Sequence, residues 1–374
     1  MKIIVGLSGG VDSSVAAYLL QQLGHDVEGL FMRNWDSVAN HDLLGNPDLA
    51  SPVCAQEEDF LDAQAVADKL GIVLHRVDFI EEYWSDVFQT FLSEHAAGRT
   101  PNPDILCNKY IKFDAFIAKA KELGAEKIAM GHYAQVVEQD GKPHLLRGLD
   151  ERKDQTYFLS QMPADQLAFT LFPIGGMQKS EVRAIAAQQG FVTADKKDST
   201  GICFIGERHY KEFLGNYFKP NPGFIVNEHG VIVGEHNGLM AFTIGQRRGM
   251  QIGGTKQYGV EPWFVVGKNT QTNTLIVAQG EDHPLLLANR ATVSNCNWFV
   301  DHIPTQVTAK FRYRQQDIEC TIDVQSTGKV EVTMHREVRA VTPGQAAVFY
   351  QGDVCLGGGF IDEVYMNETR RQYG

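Results

Sequence analysis

The sequence predicts an α/β domain built on a parallel sheet, followed by a small central β-rich domain and a C-terminal antiparallel β-barrel. In the first 200 residues, apolar runs of strand length alternate with helical patterns, which is typical of a parallel sheet covered by helices. After about residue 207 glycine and proline become frequent, and from about Leu286 short alternating runs are separated by turn residues. We therefore predict three domains, at 1–207, 208–284 and 285–374.

The α/β region contains four predicted strands and four predicted helices. The strands are Lys2–Ser8, Val27–Met32, Ile72–Phe79 and Lys127–Tyr133, and the helices are Ser13–Leu23, Gln56–Leu70, Glu82–Ala97 and Asn108–Leu123. Gly24, Gly71 and Gly124 each follow the last apolar residue of a helix, where a helix-ending glycine is expected. Two long loops, Asn34–Val53 and Gly98–Leu106, interrupt the pattern. Ligands of such sheets bind at the carboxyl ends of the strands.

The two later regions differ in composition. Pro220, Pro222 and Gly223 open the central, glycine-rich region, which continues through Gly253-Gly254 and Pro262 to Gly280. The runs Val307–Tyr313, Glu319–Val324 and Val330–Met334 alternate apolar and polar residues, which is the period of a strand with one buried face. These runs predict the strands of a small barrel.

Composition excludes several classes of protein. The 374 residues are 43% hydrophobic and 21% charged, which is ordinary for a globular chain and unlike a disordered, collagenous or coiled-coil one. No apolar run approaches the roughly 18 residues of a membrane span, and polar residues from Ser8 onward interrupt the N-terminus too early for a signal peptide. The six cysteines are too far apart for a disulfide scaffold or a CxxC metal site. We expect a monomeric cytoplasmic protein with no membrane partner.

The net charge of −12 is concentrated near the N-terminus. Residues 1–100 hold 5 Lys+Arg and 16 Asp+Glu, a net of −11, whereas residues 101–200, 201–300 and 301–374 have nets of 0, +1 and −2. The acidity of the whole chain argues against a nucleic-acid partner, but it describes mainly the first hundred residues. Part of this negative charge fits an ordinary solvated helix face, around Glu57, Glu58, Asp59 and Asp62. We expect any RNA to lie along residues 101–374.

The most specific local motif is Ser8-Gly9-Gly10-Val11-Asp12-Ser13-Ser14, between the first predicted strand and the first helix. Glycines let the backbone wrap closely round an anion, and the helix that follows offers free N–H groups and a positive dipole end. No lysine follows the glycines, which excludes a Walker A loop, and the spacing is not GxGxxG. The alternative is an ordinary turn with Asp12 or Ser13 as helix N-cap. We favour a nucleotide phosphate site in which Asp12 can hold Mg²⁺.

Two cysteines lie in polar loops. Cys107 follows Asn102-Pro103-Asp104 on a loop that leads into a helix, and Cys203 lies within the stretch Asp198–Gly206. A thiol at a helix N-terminus has a lowered pKa, so Cys107 is expected to be partly thiolate. For either cysteine alone, a structural role as a small buried residue is the alternative.

The SGGVDSS string resembles the PP-loop of the ATP-pyrophosphatase superfamily, and the other motifs narrow the resemblance. In chain order they are NPD at 102–104 with Cys107, GHY at 131–133, KDQ at 153–155, the stretch 198–206, GQR at 245–247, RYR at 312–314 and TPGQ at 342–345. Together they resemble the bacterial tRNA-specific 2-thiouridylases, from the first strand to about residue 360. The implied fold of residues 1–207 is the PP-loop, adenine nucleotide hydrolase-like α/β fold.

The resemblance implies an ATP-dependent tRNA 2-thiouridine synthase with ATP and Mg²⁺ as cofactors. Such enzymes transfer AMP to the C2 oxygen of the anticodon wobble uridine, expel pyrophosphate, and replace the oxygen with sulfur. Gly6 to Ser13 would hold the phosphates, and Met32 and Gly131 would bound the adenosine. The full set of implied ATP positions is Gly6, Leu7, Ser8, Gly9, Gly10, Val11, Asp12, Ser13, Met32 and Gly131.

The resemblance also implies how the sulfur arrives. Cys203 would receive a persulfide sulfur from a relay protein. Cys107 would attack that persulfide so that sulfur is released onto C2, leaving a Cys107–Cys203 disulfide, and Asp104 would act as acid and base. The lack of clustered cysteines agrees with this route, because an iron–sulfur cluster would need them.

The implied partner is tRNA, bound at its anticodon stem-loop. Chemistry at C2 requires the base to leave its stack, which is easier in a loop than in a duplex. The positions implied to contact tRNA are Asn102, Pro103, Asp104, His132, Lys153, Asp154, Gln155, Arg312, Tyr313 and Gln345. Without the resemblance, the RYR stretch fits an exposed barrel strand equally well.

Two alternatives belong to other functional classes. A PP-loop ligase or amidotransferase that adenylates a small molecule would need an ammonia source, and no glutaminase domain is readable in the sequence. It would also have no use for two loop cysteines. An RNA-binding protein with a vestigial nucleotide fold would not need the intact loop at 8–14.

Overall fold

The computed structural model describes residues 1–47, 55–198, 201–203, 205–206, 208–252 and 261–373. Several predicted features lie partly outside them. These are residues 48–53 of the first long loop, Gly253-Gly254 of the central region, and Ser199, Thr200 and Phe204 of the second cysteine motif. Cys203 itself is described.

The first 198 residues form the predicted alternation of strands and helices. The strands are β1 (Lys2–Gly6), β2 (Asp26–Arg33), β3 (Leu74–Asp78), β4 (Lys127–Ala129), β5 (Ala134–Gln139), β6 (Lys142–Arg147) and β7 (Thr170–Leu171). The helices are α1 (Val11–Gln22), α2 (Ala55–Leu70), α3 (80–96), α4 (103–122), α5 (Thr156–Leu159), α6 (Ala164–Leu167) and α7 (Lys179–Gln188). Gly24, Gly71 and Gly124 follow α1, α2 and α4 with φ of +79°, +68° and +82°, which confirms these helix ends.

Five of these strands form one parallel sheet in the order β3-β2-β1-β4-β7. Helices cover both faces of it. Ile3 and Val5 of β1 belong to a core with α1, α2 and α7, whereas Ile4, between them, belongs to a core with α3 and α4. Alternate residues of a strand point to opposite faces, so two covered faces explain the continuous apolar run of β1.

Helices α3 and α4 each contain a wide turn. Both include a segment of π-helix, in which each N–H bonds five residues back instead of four. The segments are Tyr83–Phe88 in α3 and Cys107–Ala115 in α4, and they contact each other. The chain between 80 and 122 is therefore helical where the sequence predicts helices, but its side chains leave the axis at other angles than in an α-helix.

A hairpin that sequence periodicity does not predict joins the first region to the barrel. Strands β5 and β6 pair with each other, and β6 also pairs with a barrel strand through Leu145 and Leu146. The connecting residues Asp140 and Gly141 have φ of +54° and +73°. Two successive positive φ angles at Asp-Gly are the signature of a two-residue hairpin turn.

The central and C-terminal regions are both β structures. After α8 (Tyr210–Leu214), the strands β8 (Gly223–Asn227), β9 (Ile232–His236), β10 (Trp263–Asn269) and β11 (Thr274–Gln279) form one sheet in the order β10-β11-β8-β9. The remaining strands are β12 (Leu287–Trp298), β13 (Gln306–Lys310), β14 (Ile318–Val324), β15 (Val330–Arg339), β16 (Ala346–Gln351), β17 (Val354–Met366) and β18 (Thr369–Arg370). Because β12 pairs with both β15 and β17, six strands close into an antiparallel barrel. The predicted fold class is confirmed.

The barrel shares apolar cores with both other regions. Val348 and Tyr350 of β16 lie in the core that contains α3 and α4, and Val307 of β13 shares a core with Val265 of β10. The three regions therefore pack on one another through shared apolar cores. None of the helices in the described part of the chain has both the length and the apolar character needed to cross a bilayer.

Candidate active site

The glycine-rich motif forms the turn between β1 and α1. Strand β1 ends at Gly6 and α1 begins at Val11, so the loop leads directly into a helix N-terminus. Gly9 has a φ of +72°, and a Cβ there would lie 2.1 Å from the backbone oxygen of Asp59. Gly10 is the N-cap and no side chain caps the helix, so the interpretation of Asp12 or Ser13 as N-cap is wrong. The first N–H groups of α1 thus keep the anion-binding character expected of an uncapped helix start.

This turn lies where the strand order of the parallel sheet reverses. Strand β1 has β2 on one side and β4 on the other, and the crevice between the ends of β1 and β4 is the usual ligand site of such sheets. Gly131, two residues after β4, packs so closely on α1 that a Cβ would lie 2.8 Å from the Ser13 nitrogen. Met32 is buried near the end of β2. The predicted ATP positions therefore lie together at the carboxyl ends of β1, β2 and β4.

Asp12, the predicted magnesium ligand, pairs with a lysine. The Lys179 Nζ lies 2.8 and 2.7 Å from its two carboxylate oxygens, and the Tyr133 hydroxyl donates to Oδ1 at 2.8 Å. Among the described residues, no three His, Cys, Asp or Glu side chains are grouped to hold a metal ion. Mg²⁺ usually takes one or two carboxylates together with substrate phosphates and waters, so Asp12 as a magnesium ligand stays a prediction.

Lys179 connects the glycine loop to the segment that carries Cys203. Its Nζ also lies 2.8 Å from Asp198 Oδ1, and Lys153 and Arg183 pair with the same carboxylate at 2.5 and 3.0 Å. Burial would raise the pKa of Asp198, but the hydrogen bonds from Lys153 and Lys179 outweigh it and lower the pKa to about 2. Three cations therefore meet beside the glycine loop.

The two predicted thiols face each other. The Cys107 Sγ, at the start of the π segment of α4, lies 3.6 Å from the Cys203 Sγ and donates to it. The Asp104 carboxylate accepts the backbone N–H of Cys203 at 3.0 Å, and the Tyr83 hydroxyl donates to the Cys203 carbonyl at 2.8 Å. The three predicted catalytic residues form one cluster, in which Cys107 is fully buried and Cys203 is partly exposed.

The two thiols differ in pKa. Burial, together with the hydrogen bond to Cys203, raises the pKa of Cys107 well above its ordinary value. The expectation that Cys107 is partly thiolate is therefore wrong: it is the fifth residue of α4, beyond the first turn, and it has no contact with solvent. The hydrogen bond from Cys107 and the ammonium of Lys112 lower the pKa of Cys203 despite its burial. Burial raises the pKa of Asp104.

The other described cysteines are structural. Cys296, Cys320 and Cys355 lie in the barrel, and burial raises the pKa of each to about 12. Cys54 lies outside the described residues. Within the described part of the chain, Cys203 is the one cysteine whose pKa is lowered, and a lowered pKa is what a reactive thiol needs.

Three family models match successive parts of the chain. They are described as a tRNA methyl transferase HUP domain over residues 1–207, a tRNA methyl transferase PRC-barrel domain over 211–279 and an aminomethyltransferase beta-barrel domain over 289–361. The chain is 53% identical over 374 residues to the tRNA-specific 2-thiouridylase MnmA of Mesoplasma florum, with 97% of this chain and 99% of the relative covered. It is 54% identical over 367 residues to MnmA of Escherichia coli strain SMS-3-5, with 97% of each covered. The chain belongs to the tRNA-specific 2-thiouridylase family.

Membership in the 2-thiouridylase family confirms the resemblance predicted from the motifs. Likeness to solved structures is weaker. An NMN synthetase from Francisella tularensis is 17% identical with a TM-score of 0.29, over 53% of this chain and 66% of that one, and nothing about this chain follows from it.

Three positions that the 2-thiouridylase resemblance implies for tRNA contact are bonded within the protein. His132 is buried against an asparagine of α4, and burial lowers its pKa well below the ordinary value. Asp154 accepts the backbone N–H and the hydroxyl of Thr156 at 3.2 and 2.9 Å. The Gln155 side chain accepts the Tyr133 N–H at 3.0 Å. These bonds shape the loops around the crevice, and direct contact of the three residues with RNA stays a prediction.

Other predicted tRNA positions lie where the barrel meets α4. The Gln345 Nε2 donates to the carbonyl of Thr100 at 2.8 Å. Two residues further on, Asn102 is the N-cap of α4 and Pro103 is its first residue, both half-buried. Because Gln345 holds the residues just before α4, it also positions Asp104 and Cys107 within that helix.

Arg312 and Tyr313 lie beside the same junction. The Arg312 Nη2 donates to the carbonyl of Ile244 at 2.9 Å and to the Thr342 hydroxyl at 2.8 Å, so it links the barrel to the central region. The Tyr313 ring lies 4.3 Å from that of Phe158, centroid to centroid. Contact of Arg312 and Tyr313 with RNA stays a prediction.

Sequence reasoning missed three residues of this site, Tyr83, Lys112 and Lys179. Tyr83 and Lys112 lie in the two π segments, and nothing in the periodicity of those helices marks them. Lys179 is the first residue of α7, a helix that the sequence analysis did not predict. A cation at a helix N-terminus opposes the helix dipole, and this was a signal that could have found it.

Proposed function

We propose that the chain is a tRNA 2-thiouridine synthase, an ATP-dependent sulfur transferase that acts on the anticodon wobble uridine. The observation that carries the proposal is the pair of thiols, Cys107 and Cys203, 3.6 Å apart beside Asp104. The pair occurs in a chain whose full-length relatives are named tRNA-specific 2-thiouridylases.

ATP fits the crevice at the end of β1 as the activating substrate. The uncapped start of α1 and the loop from Gly6 would hold its phosphates, and Met32 and Gly131 would bound the adenosine. Transfer of AMP to the uridine C2 oxygen would convert a poor leaving group into a good one and release pyrophosphate. Mg²⁺ would bind with the nucleotide phosphates, and Asp12, whose carboxylate pairs with Lys179, would be its protein ligand.

Cys203 would accept the sulfur because the residue is partly exposed and its thiol has the lowered pKa. Its thiolate attacks the terminal sulfur of a donor persulfide. A new S–S bond forms on Cys203 as the donor S–S bond breaks, and the donor leaves as a thiolate. A persulfide relay protein would be the partner on the exposed side of Cys203.

Cys107 would release the sulfur onto the base. The terminal sulfur of the Cys203 persulfide bonds to C2 as AMP leaves. Cys107 then attacks the Cys203 Sγ, which forms the Cys107–Cys203 disulfide and leaves the sulfur on C2, while the thiol proton passes to N3 of the base. Asp104, whose pKa is raised by burial, would act as the acid and base for this transfer. A disulfide bond is about 2.05 Å long, so a movement of under about 2 Å closes the pair, and a dithiol must then reduce it.

The anticodon stem-loop of tRNA would lie over the junction of α4 with the barrel. Asn102, Pro103 and Asp104 would meet the flipped base. The other proposed contacts are His132, Lys153, Asp154, Gln155, Arg312, Tyr313 and Gln345. We further propose that the protein acts as a monomer in the cytoplasm, where its thiols stay reduced, with domain limits at 207/208 and 284/285.

The test is thiolation of unmodified tRNA supplied with ATP, magnesium and a persulfide donor. We expect 2-thiouridine by mass spectrometry of the nucleosides, and release of AMP and pyrophosphate only when tRNA is present. If the uridine carries ¹⁸O at C2, the label is expected in AMP. Pyrophosphate release without tRNA would favour the small-molecule ligase, and tRNA binding without any turnover would favour the vestigial RNA-binding protein.

Cysteine variants test the sulfur path. Cys203→Ala and Cys107→Ala are expected to lower 2-thiouridine formation by at least about a hundredfold, because each removes a bond-forming sulfur. Cys296→Ala, a half-buried barrel cysteine, is the matched control and should retain activity. Undiminished product with Cys203→Ala would overturn the mechanism.

A further inference from the structure

A lysine that the proposed mechanism does not use lies against the thiol pair. Lys112 belongs to the π segment of α4, and its ammonium forms a hydrogen bond with the Cys203 side chain. Cys107 begins the same segment and donates to the same sulfur. The Cys203 sulfur thus accepts from a thiol and from an ammonium at once.

The wide turn of α4 brings this lysine to the thiols. Lys112 is five positions after Cys107. In an α-helix five residues correspond to a rotation of about 500°, so the two side chains would leave the axis about 140° apart. In a π-helix the residue five positions on follows directly after one turn, because its N–H bonds to the first residue's carbonyl. Such wide turns are frequent at functional sites.

The groups around Lys112 are mostly potential anions. Burial of a cation is unfavourable unless anionic or polar groups compensate it. Burial would lower the pKa of Lys112, but the facing groups outweigh it and raise the pKa. The titratable groups that face this cluster are Asp104 and Cys107 from α4, Cys203 from its loop, Tyr83 from α3 and His132 from the loop after β4. Lys112 is the cation among them.

We propose that Lys112 is a catalytic residue, the counter-ion that holds the Cys203 sulfur as a thiolate when that sulfur attacks the sulfane sulfur of the donor persulfide. This inference rests on the proposed function. When Cys203 attacks the donor persulfide, the thiolate and not the thiol is the nucleophile. When Cys107 later attacks the Cys203 Sγ, the negative charge of the Cys107 thiolate passes to the sulfur on C2, and the ammonium beside both thiols stabilises the attacking thiolate.

This role assigns the two thiols different protonation states. The ammonium and the Cys107 S–H both point to Cys203, so Cys203 ionises first and Cys107 remains the protonated partner. A merely structural lysine would hold the loop in place without affecting the ionisation of Cys203. The two roles are therefore separable by measuring the thiol itself.

The experiment measures the rate of alkylation of Cys203 by iodoacetamide as a function of pH, with the modified peptide quantified by mass spectrometry. It uses the full chain without tRNA or ATP, so its outcome does not depend on the proposed activity. In the unaltered protein we expect Cys203 to titrate below the usual cysteine range. Lys112→Met is expected to shift its profile upward by at least about one pH unit, which lowers the rate at pH 7 about tenfold. Lys112→Arg should keep the rate within about twofold, because the charge remains.

Controls separate charge from folding. Lys119→Met removes a cation from the same helix, where Lys119 pairs with Glu122 on the surface, and should leave the Cys203 profile unchanged. If Lys112→Met fails to fold, the unaltered protein and Lys112→Arg still decide the matter, since a Cys203 that titrates at or above about pH 8.5 in either would overturn the proposal. An unchanged profile in folded Lys112→Met would overturn it as well. Loss of thiolation in Lys112→Met with an unchanged Cys203 profile would count against Lys112 as counter-ion. If the profiles are as expected but no protein, altered or unaltered, thiolates tRNA, only the proposed function is contradicted.

Discussion

At the scale of single residues, the site depends on environments that the sequence does not display. Cys107 and Cys203 both lie in polar loops with an aspartate nearby, and from the sequence Cys107 is the better thiolate candidate. In the structure Cys203 has the lower pKa of the two. Cys107 is enclosed by the core of α3 and α4, whereas Cys203 contacts an ammonium and a thiol. Burial raises the pKa of Cys107 and contact with Lys112 lowers that of Cys203. Both effects are larger than the effect of a helix terminus that lies more than one turn from Cys107.

A buried lysine in the central sheet makes stability depend on pH. Lys268 of β10 is buried and donates to the carbonyl of Gly98 at 2.8 Å, and burial lowers its pKa from 10.5 to about 8. Between those values the unfolded chain binds more protons than the folded one, so stability rises as pH increases from about 8 to about 10.5. The gain is of the order of 3 kcal/mol. The neighbouring His95, with a pKa of about 3, stays neutral over this range.

Urea unfolding of the unaltered protein and Lys268→Met across this pH range tests that prediction. Other groups titrate there too, so the difference between the two proteins is the informative quantity. We expect the stability of Lys268→Met relative to the unaltered protein to be highest below pH 8 and to fall by about 3 kcal/mol above pH 10. A difference that does not change with pH would contradict it.

At the scale of elements, sequence periodicity predicts which segments are helix or strand but not their local geometry. The predicted helices at 82–97 and 108–123 are present, but the pattern of apolar residues does not reveal the π segments inside them. A π segment widens the turns locally, and the spacing of apolar residues along the sequence does not record that change. The hairpin β5–β6 was missed for another reason. Its strands are mostly half-buried and their apolar residues do not alternate regularly, although Asp140-Gly141 is a recognisable turn signal.

The packing of one element on another gives a prediction for nucleotide binding. A Cβ on Gly131 would lie 2.8 Å from the Ser13 nitrogen and 2.9 Å from the Asp12 carbonyl carbon, so Gly131→Ala must push the loop after β4 away from the start of α1. We expect the Kd for ATP to rise at least about tenfold, because the N–H groups of that helix start are displaced from the phosphates. The matched control is Gly176→Ala, whose Cβ would meet nothing closer than 3.7 Å. Calorimetric titration of both variants decides it, and an affinity for ATP within twofold of the unaltered protein in Gly131→Ala would show that the close approach has no role.

At the scale of the whole molecule, the acidic charge and the proposed RNA surface lie in different parts of the chain. Of the net −12, −11 belongs to residues 1–100, and some of those acids are paired within the structure. Lys196 lies 2.7 Å from Asp59 and 2.5 Å from Asp62, and Arg76 pairs with Glu57 at 2.9 Å. Residues 101–374 have a net charge of only −1 and carry the thiol cluster and the barrel junction. The overall isoelectric point therefore does not describe the surface that RNA would meet.

This separation predicts where tRNA affinity is sensitive to charge. Arg314 is an exposed cation next to Tyr313 at the barrel junction, whereas Arg76 is an exposed cation in the acidic first hundred residues. Binding of tRNA by the unaltered protein should weaken linearly on a log–log plot against salt, because each neutralised phosphate releases counterions. Arg314→Gln should weaken binding severalfold at low salt and reduce the slope by roughly one phosphate's share, about 0.7 to 0.9. Arg76→Gln should change neither. Filter binding of one tRNA at four salt concentrations measures both quantities, and equal effects of the two substitutions would show that the tRNA does not follow the surface formed by residues 101–374.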